Sequence, residues 1–257
     1  MAGLYALWNR LFLAGLALLE AVHAGAWLGL LRRRQLNAVT ARYYRDQACY
    51  VDAGFNASGL FDWEALAVSR HFPSTGTILV AGCGGGRELH ALAAMGLRTT
   101  GFDPDGRLVD TALSTDWGSV AHVPAVLHAL PDEVPAGMGM HDACLLGWTA
   151  YAHIAGRDAR IAFLRALAAC LAPGAPLILS FWARPPSVRQ MRVSHRVASL
   201  VARATFNARL PEAGDWLGRH FIHYFDEAGI REELHEAGFE LAIYLEQPSA
   251  HAVATRL

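Results

Sequence analysis

The 257 residues suit one large domain or two small ones, and 22 Lys and Arg against 23 Asp and Glu leave a net charge of -1, too little basic field for binding nucleic acid through counterion release. Hydrophobic residues make up 53% and charged ones 18%, below the usual quarter or so, which excludes a disordered chain and leaves an apolar excess to be housed. The 4 cysteines lie far apart with no Cys-x-x-Cys pair, which implies a reduced, cytoplasmic setting, and no metal site is expected: His220 and His223 are close in sequence but lack an adjacent carboxylate or thiol partner.

In chain order, residues 11–31 come first, an apolar run broken only by Glu20 and His23, with Arg10 before it and Arg32, Arg33 and Arg34 after. It is long enough to span a bilayer, but Ala14, Gly15, Ala24 and Gly25 dilute it and Glu20 would cost about 3 kcal/mol at mid-span. The positive charge follows the apolar part, the wrong order for a secretory signal. A packed helix, a lid, a span with its arginines in the cytoplasm and a peripheral membrane contact through residues 11–31 all stay open.

Residues 36–72 are polar and aromatic, with Tyr43, Tyr44 and Tyr50, and Asp62 is placed to cap a helix running to His71. Then strands and helices alternate: a buried strand at 77–81, a glycine loop, a helix at 87–95, a strand at 98–102 and a helix at 107–113. A weak strand near 121–127 precedes a better one at 142–146, a helix at 157–171 and a buried strand at 177–181. Residues 183–218 break the rhythm with prolines and then Arg189, Arg192, Arg196, Arg203 and Arg209, and are expected to form a helical cap over the sheet edge. A helix at 226–237 and strands at 239–246 and 252–256 end the chain in an antiparallel hairpin. The implied organisation is an N-terminal helical extension (1–58) and an α/β domain (59–257) holding the insertion.

The loop Gly82-Cys83-Gly84-Gly85-Gly86 lacks the Lys-Ser or Lys-Thr of a phosphate loop. The dinucleotide fingerprint also fails, because its third glycine would fall on Arg87 or Leu89, which disfavours a nicotinamide-dependent oxidoreductase. Gly82, Gly84 and Gly86 instead bring bare backbone and helix N-terminal amides against a ligand at the end of the first strand. Asp103, closing the next strand, suits the two hydroxyls of a ribose.

These residues resemble the class I S-adenosylmethionine-dependent methyltransferases over roughly residues 60–257. The resemblance is carried by Ile78 through Glu88, Gly101-Phe-Asp-Pro104, Leu171-Ala-Pro-Gly174 and Glu232 through Phe239. It implies a Rossmann-like, doubly wound, mostly parallel sheet of about seven strands. It further implies that S-adenosyl-L-methionine is held by Gly82, Cys83, Gly84, Gly86, Asp103, Pro104 and Gly147. Two positions depart from the pattern: Val80 stands where an acidic residue is frequent, leaving Glu88 as the candidate partner of the cofactor amine, and 125–129 carries no carboxylate beside the adenine.

Methyl transfer needs in-line approach in a dry pocket, with acid-base help only where the acceptor must lose a proton. His153 and Tyr151 are the candidate catalytic groups, and Tyr43, Tyr44, Trp148 and His223 the candidate acceptor pocket. The expected acceptor is an O or N atom of a small, apolar metabolite. A cofactor-binding protein without transfer activity, or an interaction module, is the alternative.

Overall fold

A computed structural model describes every residue except Arg184 and Pro186. The chain opens with helices α1 (Ala2–Leu30) and α2 (Arg33–Arg45), a 3-10 turn (Ala48–Val51) and the short α3 (Ala53–Asn56). Helix α4 (Asp62–His71) leads into β1 (Thr77–Ala81), α5 (Arg87–Ala94), β2 (Arg98–Asp103), α6 (Gly106–Leu113), β3 (Ala125–His128) and β4 (Ala143–Leu146). A second 3-10 turn (Ala150–His153) precedes α7 (Arg157–Ala169) and β5 (Pro176–Ser180). Helix α8 (Val188–Ala204), the hairpin β6 (Asp215–Leu217) and β7 (Phe221–His223), α9 (Glu227–Glu236), β8 (Phe239–Leu245) and β9 (His251–Arg256) complete the chain.

One 7-stranded sheet runs in the order β3-β2-β1-β4-β5-β9-β8, with β6 and β7 paired apart from it. Neighbours from β3 to β5 are parallel, and β9 runs antiparallel between β5 and β8. This is the Rossmann-like sheet with its terminal antiparallel hairpin that the sequence implies. The strand order reverses between β1 and β4, and the crevice at their carboxyl ends is where such sheets take ligands.

Buried strands need no polar alternation, so pleating alone sorts their side chains between two helical layers. Leu79, Leu146 and Leu179 meet Leu164, Leu167 and Leu234 of α7 and α9 on one face. Ile78, Val80 and Ile178 meet Val68, Leu89 and Leu92 of α4 and α5 on the other. Each is fully or nearly fully buried and contributes about 2 kcal/mol of apolar transfer.

Three local expectations change. Phe61, not Asp62, stands at the start of α4: its N–H donates to Glu64 Oε2 at 2.8 Å, while Asp62 sits inside the first turn, where the helix dipole favours it. The weak strand near 121–127 forms only at Ala125–His128. The cap expected at 183–218 is α8 followed by β6, and α8 packs on α1 instead of covering the sheet edge. The reason is Gly25 and Gly29, where a Cβ would lie 2.4 Å from the carbonyl oxygens of Ser194 and Ala198, so only glycine admits this approach. Arg184 and Pro186 of that cap lie outside the described residues.

Candidate active site

The loop after β1 turns on left-handed residues, with φ of +70° at Gly82, +54° at Gly84 and +102° at Gly86. The N–H groups of Gly82 and Cys83 both donate to the Phe102 carbonyl on β2, at 2.8 and 3.1 Å, which pins the loop to the sheet. From above, the first 3-10 turn presses so closely that a Cβ on Gly85 would lie 2.2 Å from the Tyr50 carbonyl oxygen. Asn56 holds that carbonyl by donating to it at 3.1 Å. On the far side Gly147, one residue past β4, abuts the loop: a Cβ there would lie 2.1 Å from the Gly82 carbonyl oxygen.

Asp103 ends β2 with its carboxylate fixed by two backbone donors, Gly84 N–H on Oδ2 at 2.8 Å and Asp105 N–H on Oδ1 at 2.9 Å. Burial raises its pKa to about 6 against these amides, which favour the charged form. Each oxygen keeps a second lone-pair direction for an incoming hydroxyl.

Below the loop, Arg87 of α5 donates to Glu64 Oε2 and Oε1 at 2.7 and 2.8 Å, to Glu88 at 2.6 Å and to the Gly59 carbonyl at 2.8 Å, and its guanidinium lies 3.8 Å from the centre of the Phe61 ring. One cation thus faces two buried carboxylates. Burial is the main reason that the Glu88 pKa rises to about 7; Arg87 pulls it down and Glu64 pushes it up.

A cleft lies between the loop and the N-terminal helices, at the carboxyl ends of β1 and β4. Its walls include Asp103, Pro104, Leu108, Leu130 and Pro131 on one side, Glu88 and Cys83 at the loop, and Tyr44, Trp148 and His153 on the other. Asn37, Thr40 and Ala41 of α2 close it, so the N-terminal extension is part of the cleft.

Inside it, Tyr44 and His153 form a pair. The backbone carbonyl of Phe221 accepts from His153 Nδ1 at 2.9 Å, which places the ring proton on Nδ1 and leaves Nε2 to accept from the Tyr44 hydroxyl at 2.7 Å. Burial lowers the His153 pKa to about 4, so the ring is neutral at pH 7 with a lone pair for Tyr44. Burial also raises the pKa of Tyr44, keeping its proton on the phenol until a base takes it. Tyr50 and His220 crowd the same pair, with ring centres 5.4 Å from Tyr44 and 5.0 Å from His153.

The structure brings together in one cleft Gly82, Cys83, Gly84, Glu88, Asp103, Pro104, Tyr44, Trp148 and His153. It places five others elsewhere or behind. Tyr151 is fully buried under α9, its hydroxyl donating to Glu233, which also holds Arg160 Nη2 at 2.6 Å. His223 faces Asp215 across the β6–β7 hairpin at 2.7 Å, a carboxylate partner that its sequence neighbours do not reveal. Arg209 takes the other Asp215 oxygen at 2.7 Å, the Glu212 N–H donates to the same oxygen at 3.0 Å, and one ligand-capable atom each of Glu212, Asp215 and His223 lies within 4.8 Å of the others. Tyr43 stacks on His220 with ring centres 4.1 Å apart, one ring behind Tyr44. Gly86 and Gly147 shape the loop without lining the cleft. The sequence reading missed Asn37, Thr40 and His220; the polar Asn37 and Thr40, a turn apart on α2, were the only signal.

A family model described as a methyltransferase domain matches residues 60–242, most of the chain. No curated protein shows significant similarity to the chain. Among solved structures, a methyltransferase dependent on S-adenosylmethionine from Methanosarcina mazei aligns with a TM-score of 0.59 at 18% identity, covering 77% of this chain and 99% of its own. An amino pentose methyltransferase from Micromonospora echinaspora, with S-adenosylmethionine bound, aligns at 0.54 and 17%, covering 83% and 93%. The magnesium protoporphyrin IX methyltransferase of Synechocystis, with S-adenosylhomocysteine bound, aligns at 0.51 and 20%, covering 76% and 80%. At these identities the structures show a common fold, and the family match goes further: the chain belongs to the methyltransferase-domain family, as a class I S-adenosylmethionine-dependent methyltransferase.

Proposed function

We propose that the enzyme methylates an O or N atom of a small, apolar metabolite, with Tyr44 and His153 as the proton-accepting pair. The observation that carries this is the 2.7 Å contact between the Tyr44 hydroxyl and His153 Nε2 inside the cleft, beside the glycine loop. The neutral imidazole presents its Nε2 lone pair to the Tyr44 hydroxyl, so a proton leaving the acceptor has a two-step path through Tyr44 to His153, downhill only once methyl transfer has made the acceptor's proton strongly acidic.

The cleft residues fit S-adenosylmethionine. In this reading Gly82, Cys83 and Gly84 receive its amino-acid part, Glu88 its ammonium, Asp103 and Pro104 its ribose, and Leu108, Leu130 and Pro131 its base. When bound, the cofactor supplies a methyl on a positively charged sulfur. The chain supplies orientation, exclusion of water and a destination for the acceptor's proton. Leu130 and Pro131 offer the base an apolar seat without a carboxylate, and Glu88 replaces the acid absent at Val80. Trp148, Tyr44 and Tyr50 give the acceptor side an aromatic wall suited to an apolar molecule and to a cationic sulfur. The same reading keeps the enzyme cytoplasmic, with α1 as its membrane-facing element.

Calorimetry with S-adenosylhomocysteine, followed by its release from S-adenosylmethionine over a panel of apolar phenols, acids and amines, tests the proposal. Binding and turnover are the expected results. Binding with no turnover on any member of a broad panel would favour a cofactor-binding protein, and no binding at all would sink the site assignment.

A further inference from the structure

Helix α1 is the one element whose apolar surface the protein leaves uncovered among the described residues. It is long and apolar enough to cross a bilayer by length and composition, yet a core helix of that kind would be mostly buried. Here only Ala21, Ala24, Gly25, Leu28 and Gly29 are buried, all against or beside α8. Leu4, Leu11, Leu18 and Leu19 are 69%, 62%, 51% and 65% exposed.

The placement of these side chains around the axis is ordered. At about 100° per residue, the bulky apolar groups from Leu4 to Leu30 occupy roughly two thirds of the circumference. Arg10 lies on the remaining third, in line with Ala17, Ala21 and Leu28, the face that meets α8. The exposed Glu20 and His23 fall within that arc, so the apolar face is uninterrupted from Leu4 to Leu19, about 24 Å at 1.5 Å per residue, and its middle, at Phe12 and Leu19, points opposite Ala21 and Leu28.

Charge frames that face. Arg32, Arg33 and Arg34 follow its last turn, all exposed. Where α1 meets α8, Gln190 donates to the Ala17 carbonyl at 3.1 Å and to Glu20 at 3.2 Å, and the exposed Arg189 and Arg192 flank that contact in sequence. A helix with a bulky apolar side, a basic border and a protein body behind it has the form of an element that lies in the headgroup plane of an anionic bilayer.

We infer that α1 is a monotopic membrane anchor: it lies flat in an anionic lipid surface, its outer face from Leu4 to Leu19 entering the acyl region and α8 holding the enzyme on the water side. Arg10 reaches headgroups along its flexible stem. The glycine contact with α8 keeps the body rigidly on the anchor.

The test is flotation of the full-length chain with phosphatidylcholine vesicles, with and without phosphatidylglycerol, beside the double variant Phe12→Glu, Leu19→Glu. Phe12 and Leu19 are 53% and 65% exposed and lie about 180° around the helix from the buried Leu28 and Ala21, so the variant keeps its fold, which unchanged binding of S-adenosylhomocysteine checks. The wild type is expected to float, more strongly with phosphatidylglycerol and less in high salt, and the variant to lose at least about tenfold in partitioning. A wild type that stays at the bottom with anionic vesicles, or a variant that floats equally well, overturns the inference. So does a dimer in sedimentation that the variant splits and that does not float, since the face would then belong to a second copy. Failure of the cofactor site would show as lost S-adenosylhomocysteine binding with flotation intact, so the two readings fail separately.

Discussion

At the scale of single residues, the cleft is built from groups whose protonation is set by burial. Asp103→Asn keeps the shape but removes the charge and one acceptor oxygen; S-adenosylhomocysteine affinity is expected to fall about tenfold or more with the melting temperature held, as calorimetry beside thermal unfolding would report. Burial raises the Glu88 and Asp103 pKa values to about 7 and about 6; if they take the cofactor's ammonium and ribose as proposed, binding should draw both into their charged forms. Affinity should therefore rise with pH from about 5 to about 8, with proton release visible as a dependence of the binding heat on the buffer; a flat profile would remove Glu88 from the site. His153→Gln and Tyr44→Phe are each expected to lower kcat by about 10²- to 10⁴-fold and leave cofactor affinity unchanged, and near-normal turnover in either would break the proposed pair. His153 carries a stability prediction as well. Its folded pKa of about 4 lies below the ordinary 6.5, so the contribution of the neutral ring is complete above pH 6.5 and is lost as pH falls toward 4. Urea unfolding should show the advantage of wild type over His153→Gln shrinking in that window, by up to roughly 3 kcal/mol.

At the scale of elements, the second 3-10 turn explains why two neighbouring candidates part ways. With three residues per turn, Tyr151 and His153 point about 120° apart, one into the α7–α9 layer and the other into the cleft. Sequence proximity to His153 therefore says nothing about the role of Tyr151. Its partners, Glu233 and Arg160, form a buried pair with Glu212 also donated to by Arg160 at 2.7 Å, and the guanidinium faces the Phe225 ring at 5.2 Å. Removing one charge of such a pair strands the other, so Glu233→Gln is expected to cost about 3 kcal/mol in urea unfolding. Tyr151→Phe should cost about 1 kcal/mol and leave turnover unchanged. A Tyr151→Phe enzyme of normal stability and no activity would return that residue to the mechanism.

At the scale of the whole molecule, the α/β sheet and the α1–α8 pair have separate cores: Leu28, Leu36, Ala198 and Phe221 cluster apart from the two layers flanking the sheet. Gly29→Leu forces side-chain atoms into the Ala198 backbone, and the expected outcome is undocking of α1, seen as rapid proteolysis near residues 1–31, with the sheet still folded and S-adenosylhomocysteine still bound. Unchanged protease resistance would mean that α1 is held by something other than this close approach.

The order of elements, the buried strands, the glycine loop and Asp103 were legible in the sequence because each rests on local rules: hydrophobic period, glycine at left-handed positions, an acid at a strand end. The terminal hairpin followed from the same patterning. What tertiary structure decided are meetings between distant residues, such as Tyr44 with His153, 109 positions apart, and Asp215 with His223 across a hairpin. It also divided the apolar helix into a face that packs and a face that does not. Composition counts apolar residues without saying which way they point, and direction comes only from the neighbours that the fold sets beside them.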